Sequence, residues 1–322
     1  MHNFTYEKAL TIDKAAGSHG RFIAGGTTLV DLMKLEVELP AGLVDITALP
    51  MAEVEALPNG GLRIGAMVRN AALAYHPKVM ESYAVLSQAL LSGASPQLRN
   101  MATTGGNLLQ RTRCPYFRDV SYTACNKRNP GSGCAAMEGH NRMMAVLGTS
   151  ESCIATHPSD MCVAMMALEA TIYIEGAKGK RAVPIGEFYK LPGTTPHVEN
   201  VLEPGDLITH VELPPPAAGA KQVYLKLRDR ASYEFALSSA AVIAKVENGH
   251  VRSVRVAMGG VGTRPWRSHE AEAALIGKAA TPTNFRHAAE MALKGAKPRS
   301  ENGFKIELAQ RCVTRALKMA TA

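Results

Sequence analysis

At 322 residues the chain is long enough for two or three domains with real cores, and 46% hydrophobic with 20% charged residues is the composition of an ordinary globular protein. The formal charge of +8 does not indicate nucleic acid, because Lys and Arg are scattered and aromatics are only 5%. No run of about 18 apolar residues exists, so no membrane insertion is expected, and Met1 to Leu10 lacks the apolar centre of a signal peptide.

In chain order, the first clear unit is Arg21-Phe22-Ile23-Ala24, then Gly25-Gly26-Thr27-Thr28, then Leu29 to Met33. A short strand enters a glycine turn and leaves as a helix. Free amides at such a turn bind anions, and glycine lets a phosphate approach. Taken alone, the same residues also make a plain strand–helix turn. The GxGxxG spacing of a Rossmann loop and the GK[ST] of a Walker loop are both missing.

Leu43–Ile46 and Leu62–Ala66 read as strands, with Asn59-Gly60-Gly61 turning into the second. Ala71–Tyr75 and Tyr83–Leu91 read as helices, the latter with Leu86, Ala89 and Leu90 on one face. A second glycine turn follows at Ala102-Thr103-Thr104-Gly105-Gly106-Asn107. Two glycine–hydroxyl loops about eighty residues apart are what clamping a dinucleotide pyrophosphate requires. Ser159-Asp160 opens the apolar segment Met161–Leu168, either as a helix cap or as a carboxylate for ribose hydroxyls.

Strands are then expected at Thr171–Ile174 and Leu207–Leu213, and a domain boundary at Pro214-Pro215-Pro216. Beyond it come strands Val223–Leu227, Ala240–Val246 and Val251–Met258, with an Asn248-Gly249 turn between the last two, and two or three helices to Ala320. Sheet followed by helices predicts an α+β domain over residues 217–322.

Four of the six cysteines, Cys114, Cys125, Cys134 and Cys153, crowd between the second glycine loop and Ser159, with ten, eight and eighteen residues intervening. No pair is CxxC, so neither a zinc ribbon nor a ferredoxin pattern fits. Their surroundings are polar and rich in turns, and a loop of about forty-five residues with little core of its own needs a staple. A four-thiolate cluster and a four-thiolate zinc both supply one. Arg111, Arg113, Lys127 and Arg128 can offset its negative charge, or serve an interface. Cys162 lies in an apolar segment, and Cys312, at four-residue steps from Phe304, Leu308 and Ala316, reads as core. His140 and His157 are isolated, and neither G-x-S-x-G nor HExxH occurs, so no catalytic side chain is assigned and the chemistry falls to a cofactor.

The motifs Phe22-Ile23-Ala24-Gly25-Gly26-Thr27-Thr28-Leu29, Ala102-Thr103-Thr104-Gly105-Gly106-Asn107-Leu108 and Pro158-Ser159-Asp160 resemble those of the FAD-binding subunit of molybdenum hydroxylases. That is the family of xanthine dehydrogenase, carbon monoxide dehydrogenase and aldehyde oxidoreductase, and the resemblance covers essentially the whole chain. Arg111-Thr112-Arg113-Cys114-Pro115-Tyr116-Phe117, Cys125-Asn126-Lys127-Arg128 and Pro130-Gly131-Ser132-Gly133-Cys134 are similar to the branch of bacterial periplasmic aldehyde oxidoreductases, whose flavin subunit also holds a [4Fe–4S] cluster. The flavin subunit of 4-hydroxybenzoyl-CoA reductase, with its own cluster-bearing insertion, is a lesser match.

The resemblance implies an α+β fold: a vanillyl-alcohol-oxidase (PCMH)-type FAD-binding domain over residues 1–216, and a C-terminal α+β domain of the CO dehydrogenase flavoprotein type over 217–322. The first would divide into subdomains of about 1–56 and 57–216, with the iron–sulfur insertion at 111–156. The implied FAD site takes Ile23, Ala24, Gly25, Gly26, Thr27, Thr28 and Leu29 in the first loop, and Thr103, Gly106, Asn107 and Gln110 around the second. Ser159 and Asp160 would lie at the ribose, and Ile208 and Lys226 at the flavin ring. Gly93 stands where xanthine dehydrogenase has a ring-contacting Phe. Cys114, Cys125, Cys134 and Cys153 would ligate the [4Fe–4S] cluster.

The implied function is electron transfer within a heterotrimer or its dimer. A large molybdenum-cofactor subunit oxidises aldehyde to acid, a small [2Fe–2S] subunit passes single electrons, and FAD on this chain hands them to an external acceptor. Location is expected to be periplasmic, by co-export on a partner's twin-arginine signal, with the cytoplasm as alternative. The other readings are a stand-alone FAD oxidase of the same fold and a scaffold with a structural Cys₄ zinc.

Overall fold

A computed structural model describes residues 1–322. The chain builds three sheets in succession. Strands β1 (Thr5–Lys8), β2 (Arg21–Ile23) and β3 (Gly42–Asp45) form a small parallel sheet in the order β1-β3-β2. Parallel neighbours need crossovers, and the helices Ile12–Ala16 and Leu29–Lys34 lie on those connections. Thr11 caps the first by accepting from the Lys14 amide at 3.3 Å.

Strands β4 (Val54–Ala56), β5 (Leu62–Gly65), β6 (Thr171–Gly176), β7 (Gly179–Pro184) and β8 (Leu207–Leu213) form an antiparallel sheet in the order β4-β5-β8-β6-β7. Because Val54–Ala56 pairs with Leu62–Gly65, the change of sheet falls before Val54. The helices Ala84–Ser92 and Asp160–Ala167 pack with this sheet in one core that includes Leu62, Ile64, Leu86, Met165, Ile172 and Val211. Every residue of Asp160–Ala167 is buried, which accounts for its lack of an amphipathic pattern.

Strands β9 (Lys221–Leu227), β10 (Ser238–Glu247), β11 (His250–Gly259) and β12 (Trp266–Arg267) make the third sheet, in the order β12-β11-β10-β9. Its alternation serves two cores. Ala240, Val242 and Ala244 face the helices His269–Leu275, Pro282–Ala292 and Phe304–Thr321, whereas Ala241 and Ile243 join the core of the preceding domain. The two domains are therefore welded along one face of β10, and helix Asp160–Ala167 lies in the weld.

The last helix corrects one expectation. Its buried stripe runs Lys305, Ala309, Cys312, Val313, Ala316, Leu317 and Ala320, while Phe304 is 41% exposed and Leu308 half-buried. Strict four-residue steps drift off a 3.6-residue period. Cys312 and Cys162 are both fully buried, as their surroundings suggested.

Residues 111–156 hold a single helical turn, Pro115–Arg118, among turns and bends. The expectation that this insertion has little core fails. Tyr116, Phe117, Ala136, Met144, Ile154 and Ala155 are buried around three of the thiols, and Leu32, from the helix after the first glycine loop, completes the cluster. No helix is long and apolar enough to cross a membrane.

Candidate functional site: two glycine loops, a cleft and four thiols

The first glycine loop leaves β2 and enters helix Leu29–Lys34, with Gly26 at φ +70°. A side chain there would be strained. None of the amides from Ala24 to Leu29 donates a hydrogen bond within the chain. Six consecutive unpaired amides on a turn form a concave anion site. Gly25 backs onto the second loop so closely that a Cβ would lie 1.9 Å from the Met101 carbonyl oxygen. The Arg69 guanidinium also donates to that carbonyl.

In the second loop, Thr103 Oγ1 accepts from the Gly106 amide at 3.2 Å, and Thr104 Oγ1 donates to the Val68 carbonyl at 3.1 Å. The segment is thereby stitched to the start of the helical layer, with Gly105 against Ala66. Helix Thr104–Leu108 carries Asn107, whose Oδ1 accepts from Ser159 Oγ at 2.7 Å and from Gln110 Nε2 at 2.5 Å. Ser159 also caps helix Asp160–Ala167 through the Cys162 amide at 3.1 Å. The chain on the two sides of the insertion thus meets at Asn107–Ser159.

Asp160 follows at once. Its Oδ2 accepts from Lys226 Nζ at 2.8 Å and its Oδ1 from the Tyr224 hydroxyl. Burial and the adjacent carboxylate push the Tyr224 hydroxyl well above its ordinary pKa. A carboxylate has about four acceptor positions, so both Asp160 oxygens retain capacity for a ligand hydroxyl.

These groups surround a cleft of about 1030 Å³, whose lining includes Thr27, Thr28, Gly106, Asn107, Gln110, Asp160 and Lys226. A second cavity of about 710 Å³ shares Arg113, Pro158, Asp160, Glu234 and Phe235 with the first and adds Ser159, His157, Met143 and Cys114. Of the residues the sequence nominated, Ile23, Ala24, Gly25, Gly26, Leu29 and Thr103 do not line the cleft; they shape its loops. Ile208 is 4% exposed, pairs with Ile174 across β8 and β6, and lies in the sheet core. Gly93 does line the cleft, and a Cβ there would come within 3.3 Å of Asp160 Oδ2.

Three cleft residues stand outside the FAD site implied by the sequence: Asn70, Arg99 and Arg113, the last read there only as a charge partner for the cysteines. Asn70 Oδ1, Arg99 Nε and Arg113 Nε are buried without a partner, the state in which polar atoms wait for a ligand. Asn70 and Arg99 are single polar residues in unremarkable segments, so neither spacing nor composition marks them.

The four clustered cysteines converge. Cys114, Cys125, Cys134 and Cys153 line one small cavity of about 290 Å³ with Tyr116, Phe117, Ala136 and Ala155. All are free thiols. Burial pushes Cys114 up to about 12 and also raises Cys134 and Cys153. No group of three or more His, Cys, Asp or Glu side chains is placed to hold a metal ion. Cys114 borders the second cavity as well as the thiol cavity.

The cations considered as partners for a cluster are engaged elsewhere. Arg111 pairs with Glu38 at 2.9 Å and Glu199 at 2.8 Å, Lys127 with Glu199 at 3.2 Å, and Arg113 with Asp31 at 3.2 Å. Arg128 donates to the Tyr116 and Phe117 carbonyls. His140 is exposed beside Glu301. His157 is enclosed against the Tyr189 ring, and desolvation lowers it to about 4.

The family model of the FAD binding domain in molybdopterin dehydrogenase matches residues 2–216, and that of the CO dehydrogenase flavoprotein C-terminal domain matches 223–320. The chain is 52% identical over 328 residues to the aldehyde oxidoreductase FAD-binding subunit PaoB of Escherichia coli (strain K12), covering 100% of this chain and 99% of that one. It is 28% identical over 280 residues to the glyceraldehyde dehydrogenase medium chain of Sulfolobus acidocaldarius, covering 85% of this chain and 82% of that one. Among solved structures, carbon monoxide dehydrogenase from Hydrogenophaga pseudoflava superposes with a TM-score of 0.77 at 26% identity, over 99% of this chain and 97% of its own. With the fold and both domains matched from end to end, the chain belongs to the family of FAD-binding medium subunits of the molybdenum hydroxylases, a family of oxidoreductase subunits.

Proposed function

We propose that this chain is the electron-transfer subunit of a molybdenum-dependent aldehyde oxidoreductase, carrying FAD in the cleft and a [4Fe–4S] cluster on Cys114, Cys125, Cys134 and Cys153. The observation that carries the FAD reading is the meeting of two glycine loops at Gly25 and Met101, with six unpaired amides from Ala24 to Leu29 on the first. Those amides, with Thr27 and Thr28, would hold the pyrophosphate. Asn107, Ser159 and Asp160 would fix the ribose, and Lys226, ion-paired with Asp160 at 2.8 Å, would hold that carboxylate in place. Asn70, Arg99 and Arg113 would add partners for the polar edges of the cofactor. Bound FAD supplies the exchange of single electrons for pairs that a relay needs at its exit.

The cluster reading is supported by four free thiols around one apolar cavity. A structural zinc on the same four thiolates is the competing reading, and the iron and zinc content of the chain separates the two. The likeness to PaoB supports aldehyde as the substrate class of the assembly. A large molybdenum-cofactor subunit and a small [2Fe–2S] subunit are the partners proposed, with an external electron acceptor. Co-export to the periplasm on a partner's signal belongs to the same proposal, and fractionation of cells expressing the full complex tests it.

No acid–base pair on this chain faces the cleft unengaged, which weighs against a stand-alone oxidase. Anaerobic aldehyde added to the purified complex is expected to bleach the flavin absorbance, and added to this chain alone to leave it unchanged. Bleaching of the isolated chain would favour the oxidase.

A further inference from the structure

The cysteine insertion and the first glycine loop are separated by about eighty residues in sequence, yet they share one short helix. Leu29–Lys34 begins directly after Thr28, a residue of the cleft wall. Its Leu32, 1% exposed, is buried in the same apolar cluster as Cys114, Cys125 and Cys153. On the preceding position, Asp31 Oδ2 takes both Arg113 at 3.2 Å and Arg118 at 2.5 Å. Arg113 immediately precedes Cys114, and Arg118 is one helical turn after it, its amide donating to the Cys114 carbonyl at 3.1 Å. Just beyond the helix, Glu38 takes Arg111 at 2.9 Å. The arginines that flank the Cys114 turn therefore both bind the phosphate-loop helix at one carboxylate oxygen.

We propose that Asp31 and Leu32 are positioning residues through which the filled cysteine site holds the first glycine loop in its cofactor-binding shape, so that occupancy of the thiol site and retention of FAD are thermodynamically linked. This rests on the FAD and cluster assignments above. An empty thiol cavity loosens Leu32 and the Cys114 turn. The arginines on Asp31 then lose their fixed base, and the amides of Ala24–Leu29 lose their common orientation. Linkage is reciprocal: whatever cluster loading does for FAD affinity, FAD must do for the cluster.

The test measures FAD dissociation by recovery of flavin fluorescence on the full chain purified without its iron-bearing partner subunits, before and after anaerobic removal of iron by a chelator. Iron removal is expected to weaken FAD about tenfold, and saturating FAD to protect the iron by a similar factor. Asp31→Asn is expected to keep its iron and weaken FAD to a comparable degree, while Asp31→Glu, which preserves the charge, stays within twofold of wild type. Arg118→Gln breaks the same pair from the other side and stands in if Asp31→Asn does not fold. FAD affinity within twofold of wild type both after iron removal and in Asp31→Asn would overturn the linkage. If the wild-type protein proves to hold no iron, the cluster assignment fails separately, and the Asp31 and Arg118 variants still decide whether the insertion positions the loop.

Discussion

The carboxylate of Asp160 accepts from Lys226 Nζ at 2.8 Å, with the two side chains only 9% and 3% exposed. Asp160 opens a helix of the FAD-binding domain and Lys226 lies on the first strand of the C-terminal sheet, so the pair closes the cleft and joins the domains at one point. Removing one partner from a buried pair leaves an uncompensated charge and costs about 3–5 kcal/mol. Lys226→Met is therefore expected to lower the denaturation midpoint and the flavin content together. Asp160→Asn combined with Lys226→Met should recover much of the stability without the flavin, which a denaturant titration with flavin quantification resolves.

Gly25 tests the contact between the loops. A methyl group at that position meets the Met101 carbonyl, a backbone atom that cannot swing aside. Gly25→Ala is expected to separate the loops, cost about 1–3 kcal/mol as overpacking does, and yield protein without bound flavin. Gly26→Val should also lose flavin, because φ +70° is closed to a β-branched residue. The ratio of flavin to protein absorbance after gel filtration reads both.

His157 gives a pH signature. Desolvation lowers it from the ordinary 6.5 to about 4, so between those values the unfolded chain binds a proton that the folded chain refuses. Stability from this group is complete above about pH 6.5 and falls as pH drops towards 4, by about 3 kcal/mol in all. His157→Gln should flatten that part of the stability–pH curve relative to wild type, measured by chemical denaturation in steps across the window.

Much of this was legible in the sequence, and the failures have physical reasons. The strand Leu207–Leu213 has the bounds expected, and the Asn248-Gly249 turn sits between β10 and β11 because strict alternation and turn chemistry are local signals. Both glycine loops were visible because only glycine tolerates their contacts. The pairing of Asp160 with Lys226 was not, although both residues were nominated, since it depends on how two domains dock. Nor was the face of β8 that carries Ile208: alternation says which residues share a face, not which face meets the cleft. The core of the insertion escaped notice because its apolar residues have no period and its last member, Leu32, comes from far away in the chain.

Cys125 separates a ligand from a packing residue. Cys125→Ser keeps the volume of a small buried side chain but not a thiolate, so it is expected to lose iron while the chain remains folded by circular dichroism. Unchanged iron content would remove Cys125 from the ligand set.

The central claim is that FAD and an iron–sulfur cluster sit in this one chain, and flavin and metal content of the chain purified without partner subunits test it most directly. The expected result is one FAD and about four irons per chain, with flavin bands over a broad shoulder near ~400 nm. Colourless protein carrying zinc, or flavin with no iron, would contradict it.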